Sequence, residues 1–197
     1  MEEQKLIEGL KRSDSNAYSE LYREYAEKIG GIARSYLGVD DVEDVVQEVF
    51  IKIYKNIKNF RGDSSLSTWV YRITVNVCKD MLGKKQRRRE ILTNFGEQED
   101  EDTRNNIREP VDDSMPSDEL MKTLSAEEIS KAIDSLSKED KLLINLREIE
   151  GMSYEQIAEI MDKPVGTIKS RLHYARERLK NILENKLGIE GEINDEV

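Results

Sequence analysis

The stretch SYEQIAEIMDKPVGTIKSRLHYARERLKNIL, Ser153 to Leu183, decides how this chain folds. Ser153 followed by Gln156 forms an SxxQ capping box, in which the hydroxyl and the amide each satisfy a backbone N–H orphaned at a helix start. A helix is therefore predicted from Tyr154. Its apolar face is Ile157, Ala158 and Met161, and Ala158 is small enough to admit a close neighbour. Asp162 tolerates a left-handed backbone and Pro164 suits the first turn of a new helix, so the chain bends between them. In the second helix Val165, Ile168, Leu172, Ala175, Leu179 and Ile182 recur every 3 or 4 residues as one buried stripe. The opposite face near its start carries Gly166, Lys169, Ser170 and His173, flanked by Thr167 and Tyr174. Such side chains donate to base edges and phosphates, and a helix of this kind fits the major groove. A solvated helix in an ordinary bundle is the plainer alternative. The capped first helix, the small Ala158 and the short turn favour a DNA-binding helix-turn-helix.

Outward from this stretch, strand signals are scarce, and the only prolines are Pro110, Pro116 and Pro164. An all-α chain is predicted. Its 197 residues allow one large or two small domains. The net charge of −10 argues against a nucleic-acid partner only as an average. From Arg61 to Glu90 there are 8 Lys/Arg against 3 Asp/Glu, and from Lys163 to Lys180 there are 6 against 1. Between them, Glu97 to Glu128 carries 12 acids and 3 bases. Two basic patches thus flank an acidic segment. No apolar run approaches the roughly 20 residues of a membrane span, and MEEQKLIEGLKR is unlike a signal peptide, so a cytoplasmic protein with no membrane insertion of its own is expected. The single cysteine, Cys78, is read as a small packed residue, since the single histidine, His173, lies far away in sequence.

Leu6, Ile7 and Leu10 predict a short opening helix. Ala17, Leu21, Tyr25, Ile29, Ile32, Ala33 and Tyr36 predict a longer one. Gly30 and Gly31 fall inside that pattern, where each costs about 1 kcal/mol relative to Ala, so the helix is either kinked or tightly crossed there. Val45, Val46, Val49, Phe50, Ile53 and Ile57 face a core, while Asp41, Glu43, Asp44, Gln47 and Glu48 lie on other faces. These carboxylates have no accompanying histidine, which disfavours a metal site. The Gly/Ser-rich loop FRGDSSLS, Phe60 to Ser67, leads into TWVYRITVNVCKDMLGKKQRRRE. There Trp69, Ile73, Val77 and Met81 are expected to share a buried strip, with Arg72, Asn76 and Lys79 offset from it. Aromatics beside a basic helix suit single-stranded DNA, because bases stack on rings while cations follow the backbone. Core packing is the competing use of Trp69 and Tyr71.

From Ile91 to Lys122 the sequence is polar and acidic with two prolines, as in a flexible linker. Ser125 with Glu128 is a second capping box, ahead of Ile129, Ala132, Ile133 and Leu136. Ser137 with Asp140 starts a further helix carrying Leu142, Leu143, Leu146 and Ile149 and stopped by Gly151. The expected architecture is two small helical domains, 1–90 and 123–187, joined by the linker 91–122 and followed by an acidic tail, 188–197. The second is a four-helix domain that ends in the helix-turn-helix.

DVEDVVQEVFIKIYKNIKNFRGDSSLSTWVYRITVNVCKDML resembles the second conserved region of extracytoplasmic-function (ECF) sigma factors, of the sigma-70 family. IDSLSKEDKLLINLREIEGMSYEQIAEIMDKPVGTIKSRLHYARERL resembles their fourth. The two motifs stand in the family's order and at its separation. The resemblance implies a subunit that binds core RNA polymerase, opens and recognises a −10 element as single strand, reads a duplex −35 element, and catalyses nothing. It also implies an anti-sigma factor as partner. By position, Asp44, Gln47 and Glu48 correspond to the polymerase contact. Phe60, Arg61, Gly62, Asp63, Ser64, Ser65, Trp69, Arg72, Asn76 and Lys79 correspond to the −10 surface, whose loop captures a flipped base. Thr167, Lys169, Ser170, Arg171, His173 and Tyr174 fall on the −35 helix. No catalytic residue, metal or cofactor is expected. Ser137 stands where the family often has proline, and Gly83 interrupts a run that is usually more basic. The rival readings are a stand-alone helix-turn-helix regulator that binds duplex DNA without polymerase, and a metal-dependent nuclease using the carboxylates from Asp40 to Glu48.

Overall fold

The computed structural model describes residues 3–92 and 125–186; the expected linker, from 93 onward, and the acidic tail lie outside them. Among the described residues all regular structure is helical. The first group comprises α1 (Glu3–Lys11), α2 (Ser15–Leu37), α3 (Val42–Asn56), a 3₁₀ turn (Ile57–Asn59) and α4 (Leu66–Leu92). The second comprises α5 (Ala126–Asp134), α6 (Lys138–Ile144), a π turn (Asn145–Ile149), α7 (Tyr154–Met161) and α8 (Val165–Lys186).

Local chemistry fixes the ends. Asp14 accepts from the Asn16 N–H at 2.8 Å and caps α2, which ends at Gly38 with φ of 91°. The start of α4 is held twice: Ser65 Oγ accepts from the Thr68 N–H at 3.2 Å, and Glu3 Oε1 of α1 accepts from the Leu66 N–H at 2.9 Å. Both predicted capping boxes form, Ser125 with Glu128 and Ser153 with Gln156, and Ser137 Oγ accepts from the Asp140 N–H at 3.2 Å. Asp162 adopts the left-handed conformation with φ of 56°, and Ile168 N–H bonds back to Pro164, one residue ahead of α8.

Of the predicted stripe of α8, Ile168, Leu172, Ala175 and Leu179 are buried, Val165 and Ile182 are partly buried against them, and Leu183, outside the predicted stripe, is buried as well. Three expectations need correction. The buried strip of α4 is centred on Leu66, Val70, Thr74, Val77 and Cys78, with Tyr71 and Val75 beside it, so Trp69, Ile73 and Met81 lie at its edge. Val46 and Phe50 of α3 are likewise only half-buried, at the rim of a groove against α2. Ile149, expected in the core, is 66 % exposed. The i→i+5 bond from Glu150 N–H to Asn145 O at 3.0 Å widens that turn and rotates Ile149 off the apolar face.

The two groups pack against each other, α6 and the π turn on α2, and α7 on α4. The glycine pair does not interrupt α2, which runs across it without a break. A Cβ on Gly30 would meet Val42 Cγ1 at 3.4 Å, and one on Gly31 would meet Asn145 Nδ2 at 3.7 Å. These are ordinary contact distances, so neighbours reach both flanks of α2 at that level but not so closely that glycine is required.

Candidate nucleic-acid interface

Along α8 the exposed ridge is Gly166, Lys169, Glu177 and Lys180, with His173 half-buried among them. Lys169 lies over the Tyr154 ring, 5.6 Å from its centroid, and Arg147 sits 4.7 Å from the same centroid. One aromatic face of α7 therefore steadies the leading cation of α8. His173 Nε2 is 3.6 Å from Glu177 and its ring is 5.4 Å from that of Tyr174. Thr167 and Tyr174 are half-buried on the flanks.

Ser170 does not stand on this ridge. It is 7 % exposed, and its hydroxyl donates to the carbonyls of Gly166 and Thr167, both at 3.1 Å. The expectation that it faces outward with Lys169 and His173 is corrected: a short side chain returned to its own helix presents no donor. Arg171 is half-buried and ion-paired with Glu139. Arg178 grips Asp140 through two bonds of 2.9 and 2.8 Å, and buried Arg176 holds Glu148. Three of the six basic residues counted from Lys163 to Lys180 are thus paired with acids of α6 and the π turn. Lys163, Lys169 and Lys180 remain exposed. Arg176 illustrates the electrostatics: burial works against its charge, but the hydrogen bond and charge of Glu148 outweigh that and raise its pKa.

The second surface is a pocket of about 320 Å³ where α3, the 3₁₀ turn and α4 meet. It unites four of the expected −10 residues, Phe60, Trp69, Arg72 and Asn76, with Lys52, Asn56, Asn59 and Ile73. Phe60 is buried against Trp69, their ring centroids 5.1 Å apart. Lys52 reaches across to Asp80 at 3.2 Å. Arg61, Gly62 and Asp63 are exposed just outside, Ser64 and Ser65 are half-buried, and Lys79 is exposed one turn beyond Asn76. Ser65 Oγ bonds Thr68 Oγ1 at 2.8 Å and Ser67 Oγ at 3.0 Å. Gly62 has φ of 81° and open space where a Cβ would be, so its glycine serves the left-handed turn rather than close approach. The sequence reading missed Lys52, Asn56 and Asn59. Their signal was the i, i+4 pair on α3 that continues to Asn59 at the end of the 3₁₀ turn.

Asp44, Gln47 and Glu48 are all exposed on α3. Gln47 borders a largely apolar groove of about 780 Å³ between α2 and α3, lined also by Tyr18, Tyr22, Val46, Phe50 and Tyr54. Tyr22 and Tyr54, at 55 % and 58 % exposure, pack on Phe50 and Tyr18 with centroid separations of 5.1 and 5.5 Å. Among the described residues no helix is long and apolar enough to cross a membrane.

The described residues are all-helical, with a helix-turn-helix in one group and a cation- and aromatic-lined pocket in the other. Residues 21–88 match the family model for sigma-70 region 2, and residues 126–179 match the one for sigma-70 region 4. The ECF RNA polymerase sigma-E factor of Haemophilus influenzae is 39 % identical over 185 residues, covering 92 % of this chain and 95 % of that relative. Its counterpart in Escherichia coli K12 is 37 % identical over 180 residues, covering 91 % and 93 %. Among solved structures, the sigma factor RpoE in complex with the anti-sigma factor NepR from Bartonella quintana matches with a TM-score of 0.64. That match is 24 % identical, covers 85 % of this chain and 96 % of that one, and speaks for the fold alone. This chain belongs to the ECF sigma factors of RNA polymerase.

Proposed function

We propose that the protein is a promoter-specificity subunit: it binds core RNA polymerase, directs it to promoters through −35 and −10 contacts, and promotes melting. The carrying observation is the pocket that gathers Lys52, Asn56, Trp69, Arg72 and Asn76. Its amides offer donors and acceptors to the edge of an unstacked base, its cations suit phosphates, and the Phe60–Trp69 pair presents an aromatic wall. The exposed loop Arg61–Ser65 extends this −10 surface, and Lys79 continues it along α4. The −35 element is read by Thr167, Lys169, His173 and Tyr174, with Arg171 contributing once released from Glu139. Asp44, Gln47 and Glu48 contact core polymerase, and the neighbouring Tyr22 and Tyr54 supply apolar anchoring there. The domains fall at 1–90 and 123–187, with 91–122 as connection.

On this reading the protein is not an enzyme. It acts in the cytoplasm, and an anti-sigma factor, such as the one named with the Bartonella structure, restrains it. The experiment is reconstitution with core polymerase and selection of initiating fragments from genomic DNA. Recovery of fragments that share two spaced elements supports the proposal. Duplex binding to symmetric sites without any polymerase-dependent initiation favours a stand-alone regulator instead.

A further inference from the structure

Three amides line the pocket between α3 and α4, Asn56, Asn59 and Asn76. They are not equivalent. Asn56 Nδ2 donates to the carbonyl of Lys52, one turn back on α3, at 2.7 Å. A backbone carbonyl only accepts, so the amide atom against it must be the nitrogen, and the orientation of the group is fixed. The two ends of an amide diverge, so with Nδ2 turned onto its own helix the Oδ1 acceptor is turned off it. Lys52 does not take up that oxygen, because its ammonium bonds Asp80 Oδ2 of α4 at 3.2 Å. Asn59 and Asn76 make no side-chain hydrogen bond among the described residues, so either amide turns freely to present its donor or its acceptor.

We infer that Asn56 determines base specificity in this pocket: its outward Oδ1 selects adenine or cytosine over guanine or thymine. The inference rests on the −10 reading of that pocket. Adenine and cytosine carry the amino groups N6 and N4 where guanine and thymine carry the oxygens O6 and O4. An acceptor held at the pocket wall takes a hydrogen bond from the first pair. Against the second it sets oxygen facing oxygen, and both lose water without gaining a bond. The Lys52 carbonyl makes the discrimination sharp, since an amide free to turn would offer its NH2 end to O6 or O4 instead. Asp80 is a positioning residue on this account: it draws the Lys52 ammonium away and leaves the Asn56 oxygen open to a base.

The test uses the full chain assembled with core polymerase and a randomised library of single-stranded 12-mers, sequenced before and after capture. Asn56 is exposed at the last position of α3, so Asn56→Ala removes the amide without opening the core. Wild type should show one position at which adenine and cytosine are enriched about tenfold over guanine and thymine. Asn56→Ala should erase the preference there and leave the other positions unchanged. Asn56→Asp, whose side-chain oxygens both accept, should retain it even where overall affinity falls. A synthetic 12-mer carrying at that position the analogue of the favoured base without its amino group should bind about tenfold more weakly to wild type, with no loss for Asn56→Ala. A preference for guanine or thymine at the Asn56-dependent position, an Asn56→Ala spectrum identical to wild type, or an Asn56→Asp spectrum that matches Asn56→Ala overturns the assignment and leaves the −10 reading standing. No enrichment by wild type at any position overturns both.

Discussion

Arg176, 5 % exposed, donates from Nε and Nη2 to Oε1 of Glu148 at 3.1 and 2.7 Å, tying α8 to the π turn. Removing one partner of a buried ion pair costs about 3–5 kcal/mol because the other charge remains buried. Here Glu148 is partly exposed and Arg176 also bonds Tyr154. Glu148→Ala should therefore destabilise the chain by about 2–3 kcal/mol, at or just below the lower edge of that range. Urea titration checks this against Lys163→Ala, an exposed position expected to be neutral within about 0.5 kcal/mol. A loss under about 1 kcal/mol for Glu148→Ala would show that the pair does not hold the domain.

The Arg171–Glu139 pair is more exposed and should matter to DNA rather than to stability. Glu139→Gln releases Arg171 beside the outward ridge of α8. Duplex affinity should rise several-fold, with the slope of log affinity against log salt steeper by about 0.9, the signature of one added phosphate contact. An unchanged slope would place Arg171 away from the DNA.

Ser170→Ala removes a hydroxyl already bonded within its own helix, so −35 preference should not move. His173→Ala removes a ring from the outward ridge and should change preference at one or two promoter positions by about 1–3 kcal/mol each. Selection from a randomised −35 library distinguishes them. A Ser170→Ala library that differs from wild type would return that hydroxyl to the DNA.

What was legible in the sequence was local. The capping residues Ser125, Ser137 and Ser153, the left-handed Asp162 and the stripe of α8 each depend on neighbours within one or two turns. What escaped was pairing across elements. Arg171, Arg176 and Arg178 read as a basic patch, because nothing nearby in sequence reveals the acids of α6 and the π turn that meet them. The π turn has no compositional signal, so Ile149 was assigned to a core it does not enter. The strip of α4 was placed one position out of phase. Trp69 and Ile73 are apolar residues serving a pocket edge, and period counting cannot separate an edge from a core. Lys52 and Asn56 reach the pocket only because α3 lies against α4.

Cys78 is fully buried, and burial pushes its thiol pKa up to about 12. A raised thiol pKa favours the protonated folded form, so the associated stability is complete below the unfolded value near 9 and is lost as pH rises through about 12. At pH 8 the native thiol should be neutral and inaccessible. Mass spectrometry after iodoacetamide treatment should show labelling only at the rate of unfolding, and immediate labelling once urea is added. Rapid native labelling would mean that α4 opens locally without global unfolding.

The final prediction separates the two ends of the chain. Tyr22 and Tyr54 are exposed beside Gln47 on the groove between α2 and α3, so removing either ring opens no core cavity. At protein interfaces tyrosines are frequent anchors, and truncating one often costs more than about 1.4 kcal/mol, a factor of ten in affinity. Tyr22→Ala and Tyr54→Ala should each weaken assembly with core polymerase about tenfold, and Asp44→Ala with Gln47→Ala should act on the same equilibrium. Promoter preference should survive in whatever complex forms, because none of these residues borders α8 or the pocket lined by Trp69 and Asn76. His173→Ala should do the reverse, shifting −35 preference while core assembly stays within twofold of wild type. Fluorescence titration of core polymerase, paired with promoter selection on each assembled variant, reads both quantities. A −35 shift from the tyrosine variants, or lost core assembly from His173→Ala, would mean that polymerase contact and promoter reading are not housed on separate faces.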